Sequence, residues 1–171
     1  MELKNLLLEK KSSILRKWFD MIVETYPPET AIFLKNQKNR FANPVGYTIS
    51  QGIEHIFEEL LNEVDSDRVS PFLDNIIRIR AVQDFNPSQA IAFIFLLKKV
   101  IREEMESDPE FNSGREKGLA EELLALESKI DDLALLSFDI YMKCREKIYE
   151  LRANEVKNMT FRLFTKGKSG K

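Results

Sequence analysis

The chain has 171 residues, of which 43% are apolar and 32% charged, with 26 basic side chains against 28 acidic ones. That length suits one ordinary domain able to bury roughly two-thirds of its unfolded surface, and six glycines and six prolines are too few for low-complexity disorder. A single cysteine excludes an internal disulfide, a single histidine excludes a multi-histidine metal site, and a net charge of −2 gives no global attraction for nucleic acid.

No run approaches the roughly 20 consecutive apolar residues of a membrane helix, because the richest one, 90–97, is followed at once by Lys98 and Lys99. No membrane insertion is expected. Residues 1–11 mix Glu2, Lys4, Glu9, Lys10 and Lys11 with leucines and lack the apolar centre of a secretory signal. A reducing cytoplasm is the expected compartment, and Cys144 reads as a small apolar residue within a helix.

Apolar residues recur with a period near 3.6 almost throughout, and no segment alternates cleanly, so the fold class is all-α, a bundle of about five helices. The first is expected over 3–25, with Leu3, Leu7, Ile14, Trp18, Met21 and Ile22 inward, ending before Tyr26-Pro27-Pro28 because proline disfavours helical geometry in the residue before it. The connector has room for one helical turn at 29–34. Three pairs, Asn43-Pro44, Ser70-Pro71 and Asn86-Pro87, place a capping side chain ahead of a proline at the first helical position, opening helices over 44–64, 70–84 and 87–106. Gln89 completes a capping-box spacing with Asn86. The break from Ser107-Asp108-Pro109 to Gly114 closes the last of these.

From 119 to 166 there is neither glycine nor proline, which allows one helix of some 48 residues, about 70 Å long, against about 40 Å for a domain of this size. Part of that helix, placed at about 116–164, must project, bend or pack on another chain. Leu119, Leu123, Leu126, Ile130 and Leu133 form its apolar stripe, continued by Ile140, Cys144, Ile148 and Leu151, which are the expected dimer and linker positions. The domain is expected over 1–164, and 165–171, with Lys166, Lys168 and Lys171, reads as a disordered basic tail.

Chemistry-bearing residues are sparse. His55 projects opposite the apolar face formed by Ile49, Ile53, Ile56 and Leu60, which suits a surface histidine better than a haem ligand. Arg80 projects between Leu73 and Ile76 on an inward face, and a buried guanidinium calls for an anion: Asp84 at i+4 and Asp131 across the core are the candidates for a buried ion pair, with an anionic-ligand pocket as the alternative. Glu58-Glu59, Glu103-Glu104 and Asp131-Asp132 are adjacent, so on a helix each pair diverges by about 100° and reads as a solvated face. No histidine lies near Cys144, neither Ser50 nor Ser88 has the paired glycines of a nucleophile elbow, and no phosphate loop exists. Neither catalytic, cofactor nor metal residues are assigned, and the chain is expected not to be an enzyme.

Four blocks carry a family likeness: Trp18 through Tyr26-Pro27, RFANPVGYTISQGIEHIF at 40–57, LDNIIRIRAVQDFNPSQAIAFIFLLKKVIREEM at 73–105, and IDDLALLSFDIYMKCREKIYELRANEVK at 130–157. Over about 10–164 the chain resembles the RsbRD N-terminal domain family. The resemblance implies a helical input domain of the stressosome co-antagonist kind, placed ahead of a sulfate-transporter/anti-sigma-antagonist (STAS) domain and feeding it through a long C-terminal helix. In the neighbouring RsbR proteins that input domain is a dimeric, globin-like fold without haem, so a globin-like bundle and no cofactor are implied here. The sequence stops after the linker helix and a short basic tail, from which a stand-alone module lacking the STAS domain is expected. Stand-alone members of the family that resemble this chain are encoded beside membrane redox complexes of anaerobic sulfur metabolism, so the resemblance implies a partner without identifying it.

The expected function is therefore a signalling input or adaptor module acting through a homodimer and an unidentified protein partner, with no nucleic acid. The alternatives are a small-molecule sensor without haem, with Arg80 and Tyr141 as polar contacts, and an accessory protein of a sulfur-metabolism redox complex.

Overall fold

Helices begin where the local chemistry supplies a cap. The computed structural model describes residues 2–62, 65–112 and 118–168, and these are helical in eight segments joined by short turns: α1 Leu3–Glu9, α2 Lys11–Val23, α3 Pro28–Asn36, α4 Pro44–Leu60, α5 Ser66–Val82, α6 Pro87–Glu106, α7 Pro109–Asn112 and α8 Leu119–Lys168. The fold is all-α. Asn43 caps α4 by accepting from the Gly46 N–H at 2.8 Å, and its amide nitrogen donates back to the Leu34 and Gln37 carbonyls, which ties the end of α3 to the start of α4. A side chain at Gly46 would collide with that cap, since a Cβ there would lie 2.3 Å from the Asn43 amide nitrogen. The capping box of α6 is complete: the Gln89 N–H donates to Asn86 Oδ1 at 2.9 Å and the Asn86 N–H to Gln89 Oε1 at 3.1 Å.

Two starts differ from the sequence reading. The expected single helix over 3–25 is broken at Lys10, whose backbone (φ −90°, ψ 1°) leaves the helical region. The turn lets Leu3, Leu6 and Leu7 of α1 and Ile14, Trp18 and Ile22 of α2 all face inward, and it aims the Lys10 ammonium at Asp108, 2.9 Å away. Ser70-Pro71 does not open α5. Asp65 does, accepting from the Asp67 N–H at 2.9 Å, and Pro71 sits in the second turn. There the proline costs one backbone hydrogen bond, while the extra turn buries Val69 completely and brings Arg68 within 3.1 Å of Glu59.

The core is built between α2, α4, α5, α6 and the first half of α8. Trp18, Ile53, Phe57, Leu73, Phe93 and Leu97 are almost wholly buried in it, with Ile130 and Leu133 closing it from α8. Gly52 permits the close approach of α4 and α5, because a Cβ there would lie 2.8 Å from Ile76 Cδ1. α8 is laid along α5 and α6. It runs antiparallel to α6, as the contacts Lys98 to Asp131 and Arg102 to Glu127 require. Its 50 residues make a rod of about 75 Å, so the C-terminal half extends past the body. The helix continues to Lys168, and residues 169–171 of the expected basic tail lie outside the described residues.

Candidate functional site

α5 ends in a turn that determines where Arg80 and Asp84 go. The Phe85 N–H donates to the Arg80 carbonyl and the Asp84 N–H to the Ala81 carbonyl, the paired bonds of a Schellman cap, with Asp84 in the left-handed conformation (φ 60°) that this cap needs at its turning residue. That turn swings the Asp84 side chain out to solvent, where Arg145 of α8 reaches it at 3.4 Å and Arg152 at 3.8 Å. It also folds Phe85 back over Arg80, with 4.4 Å from guanidinium to ring centroid. Arg80 is wholly buried, as the helical projection required, yet the expected triad does not assemble. Its Nη2 donates to Thr25 Oγ1 at 2.9 Å and to the Gln89 carbonyl at 3.2 Å, and Tyr26 lies 5.6 Å away on its other flank. Asp131 faces outward and pairs with Lys98 at 2.7 Å.

Arg80 Nε and Nη1 have no hydrogen-bond partner, and burial draws the guanidinium below its ordinary pKa, partly offset by Tyr26. The corner is thus a buried cation held by two ring faces and two oxygens, without a carboxylate. Arg80→Met should therefore change stability by no more than about 1 kcal/mol, since the lost stacking and hydrogen bonds are offset by removal of an uncompensated charge. A urea midpoint measures this, and a loss beyond about 3 kcal/mol would mean that the guanidinium is indispensable to the fold.

A second polar cluster lies at the other end of α6, at a residue the sequence pattern assigned to a solvated face. Glu104 is buried and accepts from Ser13 at 2.8 Å, with Lys17 at 2.6 Å and Lys10 at 3.9 Å. Burial pushes its carboxyl up, but Lys17, Ser13 and Lys10 together outweigh that and hold it below the usual glutamate value. Nothing in the local sequence marks Glu104, because its partners come from α2. Arg102 forks onto Glu127 of α8 through Nε and Nη2, the latter at 2.7 Å from Oε2, and that hydrogen bonding lowers the Glu127 pKa.

None of these groups forms a nucleophile with a base. The Cys144 thiol is pushed up in pKa by burial and by Asp74, which disfavours the reactive thiolate. His55 lies on the outer side of α4, its ring stacked 4.3 Å from Phe72 and its Nδ1 3.7 Å from Glu58. Tyr141, expected as a polar contact for a small molecule, is buried and donates to the Phe85 carbonyl at 2.6 Å. Among the described residues no group of three or more His, Cys, Asp or Glu is placed to hold a metal ion, and no helix is long and apolar enough to cross a membrane.

The feature that remains is α8. Of the expected dimer positions, Ile140, Cys144 and Ile148 are half-buried against the chain's own core, and only Leu151 is exposed. The reason is that α5 extends alongside them: Cys144 Sγ lies 3.8 Å from Asp74, and a groove of about 320 Å³ runs between Asp74, Arg78 and Val82 on one side and Cys144, Ile148 and Leu151 on the other. Beyond it, every described side chain from 149 to 165 is exposed, including Tyr149, Leu151, Val156, Met159, Leu163 and Phe164. On the side of α8 turned away from the body, Leu135, Phe138 and Met142 are exposed as well.

The described residues thus form a helical body from which the second half of α8 projects as a rod. Residues 12–156 match the model of the RsbT co-antagonist protein rsbRD N-terminal domain, and the chain belongs to that family, one of stressosome-type signalling input domains. It is 26% identical to an uncharacterized protein of Archaeoglobus fulgidus over 151 residues, covering 85% of this chain and 83% of that protein. No solved structure matches it.

Proposed function

We propose that this chain is a non-enzymatic signalling input or adaptor module of the cytoplasm, working as a homodimer, in which α8 passes a change in the helical core to a protein partner. The observation that carries the reading is the row of large apolar side chains left in solvent along α8. Covering apolar surface contributes about 25 cal/mol per Å² before the cost of ordering, and a rod that offers it on the outside of its own body draws that contribution from another chain.

Sedimentation of the whole chain at tens of micromolar is the test. A dimer is expected. A chain ended after Leu151 should keep its unfolding free energy within about 0.5 kcal/mol, because every described side chain that it loses is exposed, and should sediment as a monomer. A monomeric whole chain overturns the proposal.

A second reading, a small-molecule sensor without haem, is favoured by the two unpaired nitrogens of Arg80, which suit an anionic group. Native mass spectrometry of protein purified without refolding separates the two: a co-purifying small anion lost in Arg80→Met supports the sensor, and a clean dimer mass supports the adaptor.

A further inference from the structure

Of the eleven large apolar residues exposed on α8 among the described residues, five form one row. Leu135, Met142, Tyr149, Val156 and Leu163 follow one another at steps of seven, and all are 40–74% exposed. An ideal α-helix drifts about 20° per seven residues, so this row winds slowly around the rod, and the surface that fits such a row is a second helix with the same repeat. Leu135 and Met142 are exposed where Ile140, Cys144 and Ile148 pack against the core, so the row is distinct from that half-buried stripe. It runs on without interruption from the body into the projecting half.

The flanks of the row are charged unevenly. At three and four residues from its members, the N-terminal half carries Asp131, Asp132, Asp139 and Glu146 against Arg145, and Arg145 is engaged by Asp84 and the Ala81 carbonyl. The C-terminal half carries Arg152 and Lys166 at the equivalent positions and no acid. Two copies laid parallel and in register would set acid on acid and base on base. Reversed about Tyr149, the row becomes complementary to itself: position 135 meets 163, 142 meets 156, 149 meets 149, and Glu146 meets Arg152. A two-fold axis through Tyr149 gives such a self-complementary contact over 135–163, about 43 Å of helix.

Resting on the dimer reading above, we infer that α8 pairs with α8 of a second copy in antiparallel orientation, centred on Tyr149, with the basic end of each rod lying over the acidic first half of the other. The two bodies then stand at opposite ends of the pair. Like-charge contact disfavours the parallel arrangement, and the apolar row sets the register.

Disulfide mapping tests the orientation. In a Cys144→Ala background, Leu135→Cys and Leu163→Cys variants are oxidised separately and as a mixture, with sedimentation run on the same samples. The antiparallel pair predicts a covalent dimer from the mixture and little from either variant alone. Self-linked Leu135→Cys in a species that sediments as a dimer overturns the antiparallel inference and leaves the dimer standing, whereas a monomer in sedimentation removes both. Should the cysteine background fold poorly, charge reversal supplies the same information on the otherwise unchanged chain. Glu146→Arg is expected to weaken self-association about tenfold, and adding Arg152→Glu to restore it, because the reversed charges again face each other across the axis. Failure of the double variant to recover, with the whole chain dimeric, counts against the register.

Discussion

Trp18→Ala is expected to remove about 3–5 kcal/mol of stability, a large share of what a domain of this size holds. The side chain is wholly buried where α2 meets α6, its ring is stacked 6.4 Å from Phe93 at 17°, and its indole N–H donates to the Phe93 carbonyl at 2.6 Å. Truncation leaves a cavity between two helices that are fixed elsewhere, α2 by the Lys10 and Lys17 contacts and α6 by its capping box, so the site can collapse only in part. Trp18→Phe separates the contributions: it keeps most of the apolar volume and loses the indole donor, for a cost of about 1–2 kcal/mol. Both are read from urea unfolding followed by far-ultraviolet circular dichroism, since Trp18 is the only tryptophan. A loss below about 1 kcal/mol for the alanine variant would mean that α2 and α6 repack freely and that the α2–α6 contact does not organise the core.

Glu104 gives the second large effect and a pH signature. Its folded carboxyl is held below the unfolded value near 4.5, so the unfolded state binds the proton more readily. The stabilisation is fully present above that unfolded value and is lost as pH falls through the lower folded one. Glu104→Gln is expected to cost about 1–3 kcal/mol at neutral pH, because Lys17 and Lys10 lose a buried anion, and to flatten the fall in stability between about pH 5 and pH 3. Glu127, lowered by Arg102, titrates over the same range, so the variant reduces the acid limb without abolishing it. Unfolding midpoints across that range measure the effect. An unchanged acid limb would show that Glu104 contributes nothing through its charge.

Both effects arise from contacts between distant segments, and here the sequence pattern reached its limit. Glu104 sits beside Glu103 and reads as surface by spacing alone, whereas its burial follows from the turn at Lys10 that presents α2 to the end of α6. The corner at Arg80 makes the same point. Periodicity placed the guanidinium inside correctly, but helical spacing supplied Asp84 as its partner on the premise that the helix continues to 84. Once Asp84 turns left-handed, i+4 geometry no longer holds, and two rings and two oxygens surround the cation instead.

What the amino-acid order determined by itself is the set of local structures: an all-helical chain, the caps at Asn43 and Asn86, and a final helix longer than the body it belongs to. Those depend on neighbouring residues, on capping oxygens, proline and the absence of glycine, which act within a turn or two. Only the tertiary structure decided which face of α8 is covered. That helix carries two apolar faces, one through Ile130, Tyr141 and Cys144 and one through Leu135, Met142 and Tyr149, and a pattern of period 3.6 cannot rank them. α5 and α6 cover the first because their own apolar stripes reach it, and the second is left to solvent.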